Sequence, residues 1–232
     1  PEETSLFELM GATGGIAPVR GDSIGFTAQN FNGNKIDWYL TRKATYDVQW
    51  DPASGAVQGN LQITLTNAAP ATGLPHSVIG FGGDLEENQT PTADGENLLL
   101  LSVYSAFPLE TLTLDGAPLG ADQQRELGRY VYTAYVDLPS GATRTVSATS
   151  SGSIARGAHY QLDPVWQPVV TPDHLDVHLH LASGWDVAST DGVARTSAHE
   201  ADAAWVLGRR WAADVSARRA DPSPLAPLKG DP

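Results

Sequence analysis

Short runs of apolar and β-branched residues in strict alternation, each closed by Gly, Pro, Asp or Asn, dominate this chain and restrict it to a fold of short strands. In Thr45-Tyr46-Asp47-Val48-Gln49-Trp50, Tyr46, Val48 and Trp50 fall on one face, because successive side chains of a strand point to opposite sides. Asp51-Pro52-Ala53-Ser54-Gly55 then turns the chain back, with Pro fixing φ and Gly supplying a positive-φ position. Residues 57–67 alternate Leu61, Ile63 and Leu65 inward, so the spacing predicts a hairpin over residues 45–67. The same signature predicts strands at residues 97–104, 109–114, 130–138, 143–150, 160–162 and 175–181, with turn chemistry at Asp115-Gly116, Pro139-Ser140-Gly141 and Ser151-Gly152.

Several short strands with no helix-length crossover between them exclude a parallel α/β sheet. The expected fold is mainly β, an antiparallel β-sandwich, immunoglobulin-like or related, with a short N-terminal helix. That helix is expected where Ser5 and Glu8 fit a capping box ahead of Leu9 and Met10. The expected organisation is a helical remnant of, or connection to, a preceding region at residues 1–20, a junction at 21–42, the sandwich at 43–220 and a Pro-rich tail at 221–232. Residues 198–207 stay open between two readings, since their Ala content suits a helix while Trp205-Val206-Leu207 suits an edge strand.

Charge and composition exclude several partners. Fourteen basic against 27 acidic residues leave a net charge of −13, which repels phosphate backbones and anionic headgroups. With no Cys there are no disulfides, thiolate metal sites or Cys nucleophiles. No apolar run approaches the roughly 18 residues that span a bilayer, and no signal-peptide pattern stands at the start, so Pro1 reads as a start inside a longer protein.

Five segments in order, GATGGIAPVRGD from Gly11, QNFNGNKIDWYLTR from Gln29, LTNAAPATGLPHSVIG from Leu65, LSVYS from Leu101 and QPVVTPDHLDV from Gln167, resemble the C-terminal part of the domain-of-unknown-function family numbered 4012. The resemblance covers most of the chain up to about Trp185. It implies a membrane-anchored envelope protein of actinobacterial type, with the anchor and a larger region ahead of this one, a β-rich part outside the membrane, and an association with cell-surface polysaccharide. It brings no catalytic residues. The partners it implies are the preceding region and envelope glycan, with the membrane reached only through an anchor outside this chain.

The candidate ligand-binding residues are Asp22, Gln29, Asn30, Asn34, Lys35, Asp37 and Trp38. Amides and carboxylates offer paired donors and acceptors to sugar hydroxyls, and Trp38 with Tyr39 offers flat apolar faces. The same residues also suit a structural loop, because Asn tolerates left-handed backbone and bonds nearby peptide groups. No catalytic residue, cofactor or metal ligand is assigned. His76, in the loop over residues 65–80, lacks a recognisable triad setting. Asp84, Glu86, Glu87, Asp94 and Glu96 supply hard oxygens without the spacing of a calcium loop, so a solvated acidic loop is expected. His178 and His180 share a strand face but oppose the apolar Val177, Leu179 and Leu181, which suits a polar outer face better than zinc. No phosphate-cradling Gly loop or nucleophile elbow occurs. Arg209, Arg210, Arg218 and Arg219, around Trp211, read as protection of an edge strand or as a contact to an acidic neighbour. Three classes of function remain: a binding module, an enzyme acting on envelope glycans through loop carboxylates, and a structural spacer.

Overall fold

The hairpin forms where the alternation places it and runs longer than expected. In the computed structural model, which describes residues 18–82, 91–207 and 212–220, β2 (Leu40–Trp50) pairs with β3 (Ala56–Asn67) from Leu40↔Asn67 to Trp50↔Val57. Gly55 takes φ +78° in the turn, and Asp51 accepts hydrogen bonds there from the Ala53 amide and the Ser54 hydroxyl. Tyr46, Val48, Trp50, Leu61, Ile63 and Leu65 are all buried. The remaining predicted strands are present as β4 (Asn97–Ser105), β5 (Leu109–Leu114), β8 (Arg129–Leu138), β9 (Thr143–Ser153), β10 (His159–Leu162) and β11 (Asp173–Leu181).

These strands combine with others that the pattern did not mark. The largest sheet has eight strands in the order β13 (Ala194–Arg195), β14 (Glu200–Leu207), β11, β2, β3, β9, β5 and β6 (Ala117–Pro118). A four-stranded sheet runs β1 (Ile24–Asn30), β4, β8 and β7 (Asp122–Glu126), and a three-stranded one runs β10, β15 (Ala213–Arg219) and β12 (Trp185–Asp191). Ile24, Phe26, Leu99, Leu101 and Val136 from the second sheet join Tyr46, Val48 and Ile63 from the first in one core cluster. Tyr160, Val187 and Val215 from the third sheet belong to the same cluster. The fold is mainly β and sandwich-like, and its strand pairs are antiparallel apart from β2 with β11, which run parallel. The sheet is therefore mixed, a consequence of the long path from β3 to β11 that no local turn dictates.

Of residues 198–207, residues 200–207 form a strand and none forms a helix. Ala201, Trp205 and Leu207 are buried, and β14 lies antiparallel to β11 from Asp173↔Leu207 to His180↔Glu200. Cross-strand pairing outweighs the weak helix preference of the alanines. On the outer face of β11, His178 Nδ1 lies 3.2 Å from Asp202 and His180 Nδ1 lies 3.2 Å from Glu200. Among the described residues no group of three or more His, Asp or Glu side chains is placed to hold a metal. The expected N-terminal helix, the Pro-rich tail, Asp84, Glu86, Glu87, Arg209, Arg210 and Trp211 lie outside the described residues.

The stretch from Gly21 to Arg42, read from sequence as a junction before the first strand, already contains β1 and the first residues of β2. Ile24, Phe26 and Ala28 alternate inward, and β1 pairs with β4 from Ile24↔Ser105 to Asn30↔Leu99. The other side of β1 is closed by the segment after β10. Asp22 N–H donates to Gln161 O at 2.8 Å, Asp163 N–H to Asp22 O at 3.0 Å and Val165 N–H to Ile24 O at 2.8 Å. Gln167 extends this strap by bonding both the amide and the carbonyl of Ala28, at 2.9 and 3.0 Å.

Candidate functional site

After β1 the chain makes a loop rich in Asn, and its amides are used internally. Asn30 Nδ2 donates to Asn34 Oδ1 at 2.7 Å, while Asn30 Oδ1 accepts the Asn32 amide at 2.8 Å. Asn34 Oδ1 also accepts the Ile36 amide at 3.1 Å, and Asn34 Nδ2 donates to Gly80 O at 2.7 Å. Gly33 supplies the left-handed residue of the loop at φ +69°. Loop and neighbouring segment are thus tied together, and the polar crowding seen in sequence has a structural cause.

The tied loop presents a 3-10 turn, Ile36–Tyr39, whose outward side forms one wall of an open groove of about 520 Å³. Lys35, Asp37, Trp38 and Tyr39 line it, together with Val78 from the helical turn His76–Ile79 and Val170 from the strap. Trp38 is 66% exposed and Val170 61%, while Ile36 is fully buried and anchors the turn. Asp37 is held by Asn97, whose Nδ2 donates to Asp37 Oδ1 at 3.0 Å. The arrangement offers a flat apolar face with one cation and one anion at its margin, a combination suited to the apolar face and hydroxyl rim of a sugar or a similar polar ring.

Of the seven sequence candidates, Lys35, Asp37 and Trp38 line this groove, and the other four do not. Gln29 is exposed on β1, in register with Leu100. Asn30 and Asn34 shape the loop. Asp22 is fully buried, with Oδ2 accepting from the hydroxyls of Tyr46 at 2.8 Å and Tyr160 at 2.7 Å and Oδ1 accepting the Ser23 amide at 2.7 Å. It ties β1 to β2 and β10 and is not open to a ligand. Sequence reasoning missed Val78 and Val170; for Val170 the Val169-Val170 pair between Pro168 and Pro172 was the available signal. His76 contributes the start of a helical turn, and its ring packs so closely on Gly80 that a Cβ there would lie 2.4 Å from it.

Burial raises the Asp22 carboxyl above the usual range, and the bonds from Tyr160, Tyr46 and Ser23 only partly oppose this. A raised folded-state pKa gives stability that is fully present below the unfolded value and is lost as pH rises through the folded one. Asp22→Asn removes that titration. The stability of the parent relative to the variant is therefore expected to be greater at pH 4 than at pH 7, measured by urea unfolding at several pH values. A difference that is flat or grows toward neutral pH would show that Asp22 is hydrated.

No family model matches the chain, and no curated protein matches it. Among solved structures, a Legionella pneumophila protein provisionally described as nutrient-binding is similar at 9% identity, over 84% of this chain and 71% of that one, with a TM-score of 0.45. Native leukotriene A4 hydrolase from Saccharomyces cerevisiae aligns at 9% identity over 82% of this chain and 31% of its own, with a TM-score of 0.42. An M1 zinc metallopeptidase from Deinococcus radiodurans aligns at 8% identity over 76% of this chain and 42% of its own, with a TM-score of 0.37. Likeness at this level carries no argument about fold or activity.

Proposed function

We infer that this chain is a binding module in which the groove between the 3-10 turn and the strap receives a sugar ring, and that its ligand is an envelope polysaccharide. The observation that carries the reading is the outward Trp38 ring, 66% exposed beside Tyr39, Lys35 and Asp37 on a loop that the side chains of Asn30 and Asn34 tie down internally. A rigid loop that holds a large apolar ring in water meets the cost of exposure only if something covers it. The resemblance to the family numbered 4012 supplies the setting: an extracytoplasmic position in a membrane-anchored envelope protein, working with the region ahead of this one. Glycan cleavage is less well supported, because Asp37 is the single carboxylate among the described residues lining the groove and glycoside hydrolysis uses a pair.

The test is a glycan array with the isolated chain, followed by titration of any hit. Trp38→Ala is expected to weaken binding by about 10-fold or more, equivalent to about 1.4 kcal/mol for one lost stacking face. Lys35→Ala is expected to weaken it less, since a solvated ammonium contributes little. Asn34→Ala is unsuitable as a probe because it would open the loop itself. Binding that survives Trp38→Ala unchanged, or no binding to any glycan, would remove this reading.

A further inference from the structure

The charges at the groove are unevenly held. Lys35 is exposed at the margin, where water and salt screen its ammonium, whereas Asp37 is half-buried and screened less. The bond from Asn97 Nδ2 to Asp37 Oδ1, at 3.0 Å, ties the carboxylate beside Trp38 and leaves Oδ2 with no hydrogen-bond partner among the described residues. No ion pair among those residues involves Lys35 or Asp37. The short turn before β4 brings two more anions close to the groove without lining it. Gly95 N–H donates to Ile79 O at 2.8 Å, next to Val78 of the wall, and Asn97, just past this turn, is the residue that holds Asp37. Asp94 and Glu96 flank Gly95, one exposed and the other half-buried. On the strap side, residues 166–172, WQPVVTP, carry no charge. Lys35 is thus one screened cation against the carboxylates of Asp37, Asp94 and Glu96, in a chain of net charge −13.

We propose that the groove selects glycan chains that carry no acidic groups, and that Asp37 enforces the choice. The selectivity rests on the groove being a sugar site. A carboxylate is an acceptor only, so Asp37 Oδ2 takes hydrogen bonds from sugar hydroxyls and has nothing to offer another anion. A uronate, sulfate or phosphate group on a ring stacked against Trp38 is brought up to a carboxylate that Asn97 holds in place and no cation neutralises. At a separation of about 4 Å the repulsion of two like charges, even at the dielectric constant of water, is equivalent to about 5-fold in affinity. Recognition of hydroxyls and rejection of acids thus come from one side chain, the attractive and repulsive halves of a specificity device. The acidic surroundings act in the same direction earlier, by slowing the approach of a polyanion.

An array that carries neutral glycans beside chains of the same linkage bearing uronate, sulfate or phosphate groups is probed with the chain, and the best-bound neutral glycan and its acidic counterpart are titrated by calorimetry. The neutral member is expected to bind about 5-fold or more tightly. Its affinity is expected to change by less than about 2-fold between about 50 and 500 mM NaCl, because no charge pair carries it. Asp37→Asn keeps an acceptor for Asn97 and removes the charge, so it is expected to bring the acidic counterpart within about 2-fold of the neutral glycan. Lys35→Ala is expected to leave the preference in place or widen it. Equal or tighter binding of the acidic member by the parent overturns the proposal while leaving the sugar site standing, and so does a preference that Asp37→Asn leaves unchanged. No binding to any glycan removes the sugar site and this selectivity with it.

Discussion

Arg42→Ala is expected to destabilise the chain by about 3–5 kcal/mol, the range for breaking a buried ion pair from one side. The Arg42 and Asp173 side chains are only 3% and 1% exposed, and they meet in a fork, with Nε to Oδ1 at 2.7 Å and Nη2 to Oδ2 at 2.9 Å. Arg42 Nη1 also donates to Gln167 Oε1 at 3.0 Å, and the guanidinium lies 5.6 Å from the Phe26 ring centre. One residue of β2 thus connects the parallel neighbour β11, the strap and β1. Burial pushes the Asp173 carboxyl up, and Arg42 is the main group that opposes this, with a smaller contribution from His174. Without Arg42 the carboxyl rises further, so by the same linkage the deficit of the variant is largest at neutral pH and shrinks toward pH 4. Replacing both partners, Arg42→Met with Asp173→Leu, is expected to recover most of the loss, because neither charge is then left unpaired. A single-variant loss under 1 kcal/mol in urea unfolding would mean that water reaches Asp173.

The strands that sequence made legible are those whose own alternation carries the information: Tyr46, Val48 and Trp50 in β2, Leu61, Ile63 and Leu65 in β3, and Val177, Leu179 and Leu181 in β11. β1 was hidden because Gly25 and Ala28, on its two faces, register as turn or neutral residues although both are enclosed. β7, Asp-Gln-Gln-Arg-Glu, has no apolar residue and is wholly exposed; it forms because Leu127 and Gly128 take positive φ in a two-residue turn back onto β8. The parallel contact of β2 with β11 and the buried Asp22–Tyr160 and Arg42–Asp173 contacts join residues more than a hundred positions apart in the chain, which no local pattern encodes. The site followed the same division. Trp38, Lys35 and Asp37 stood out by residue type, whereas Val170 reaches the groove only because the strap runs along β1.

That dependence makes Gly25→Ala the second large effect. A Cβ at residue 25 would lie 2.2 Å from Val165 O and 2.8 Å from Val165 Cβ, and the obstructing carbonyl belongs to backbone that is itself hydrogen-bonded to β1 through Val165 N–H and Ile24 O at 2.8 Å. Neither chain can withdraw without breaking that bond, so the cost is expected at the upper end for overpacking, about 3 kcal/mol. Gly25 does not have a positive φ, so the loss would come from the contact and not from backbone strain. Gly120→Ala is the matched control. It has nothing within 4 Å of its would-be Cβ and is expected to stay within about 0.5 kcal/mol of the parent. Displacing Val165 also shifts Gln167 and Val170, so Gly25→Ala is expected to weaken groove binding although it alters no lining residue. Stability and binding should then fall together at residue 25, whereas Trp38→Ala should lower binding alone. If Gly25→Ala unfolds at the parent's urea midpoint, the strap is not packed on β1 in solution and Val170 has no fixed place in the groove.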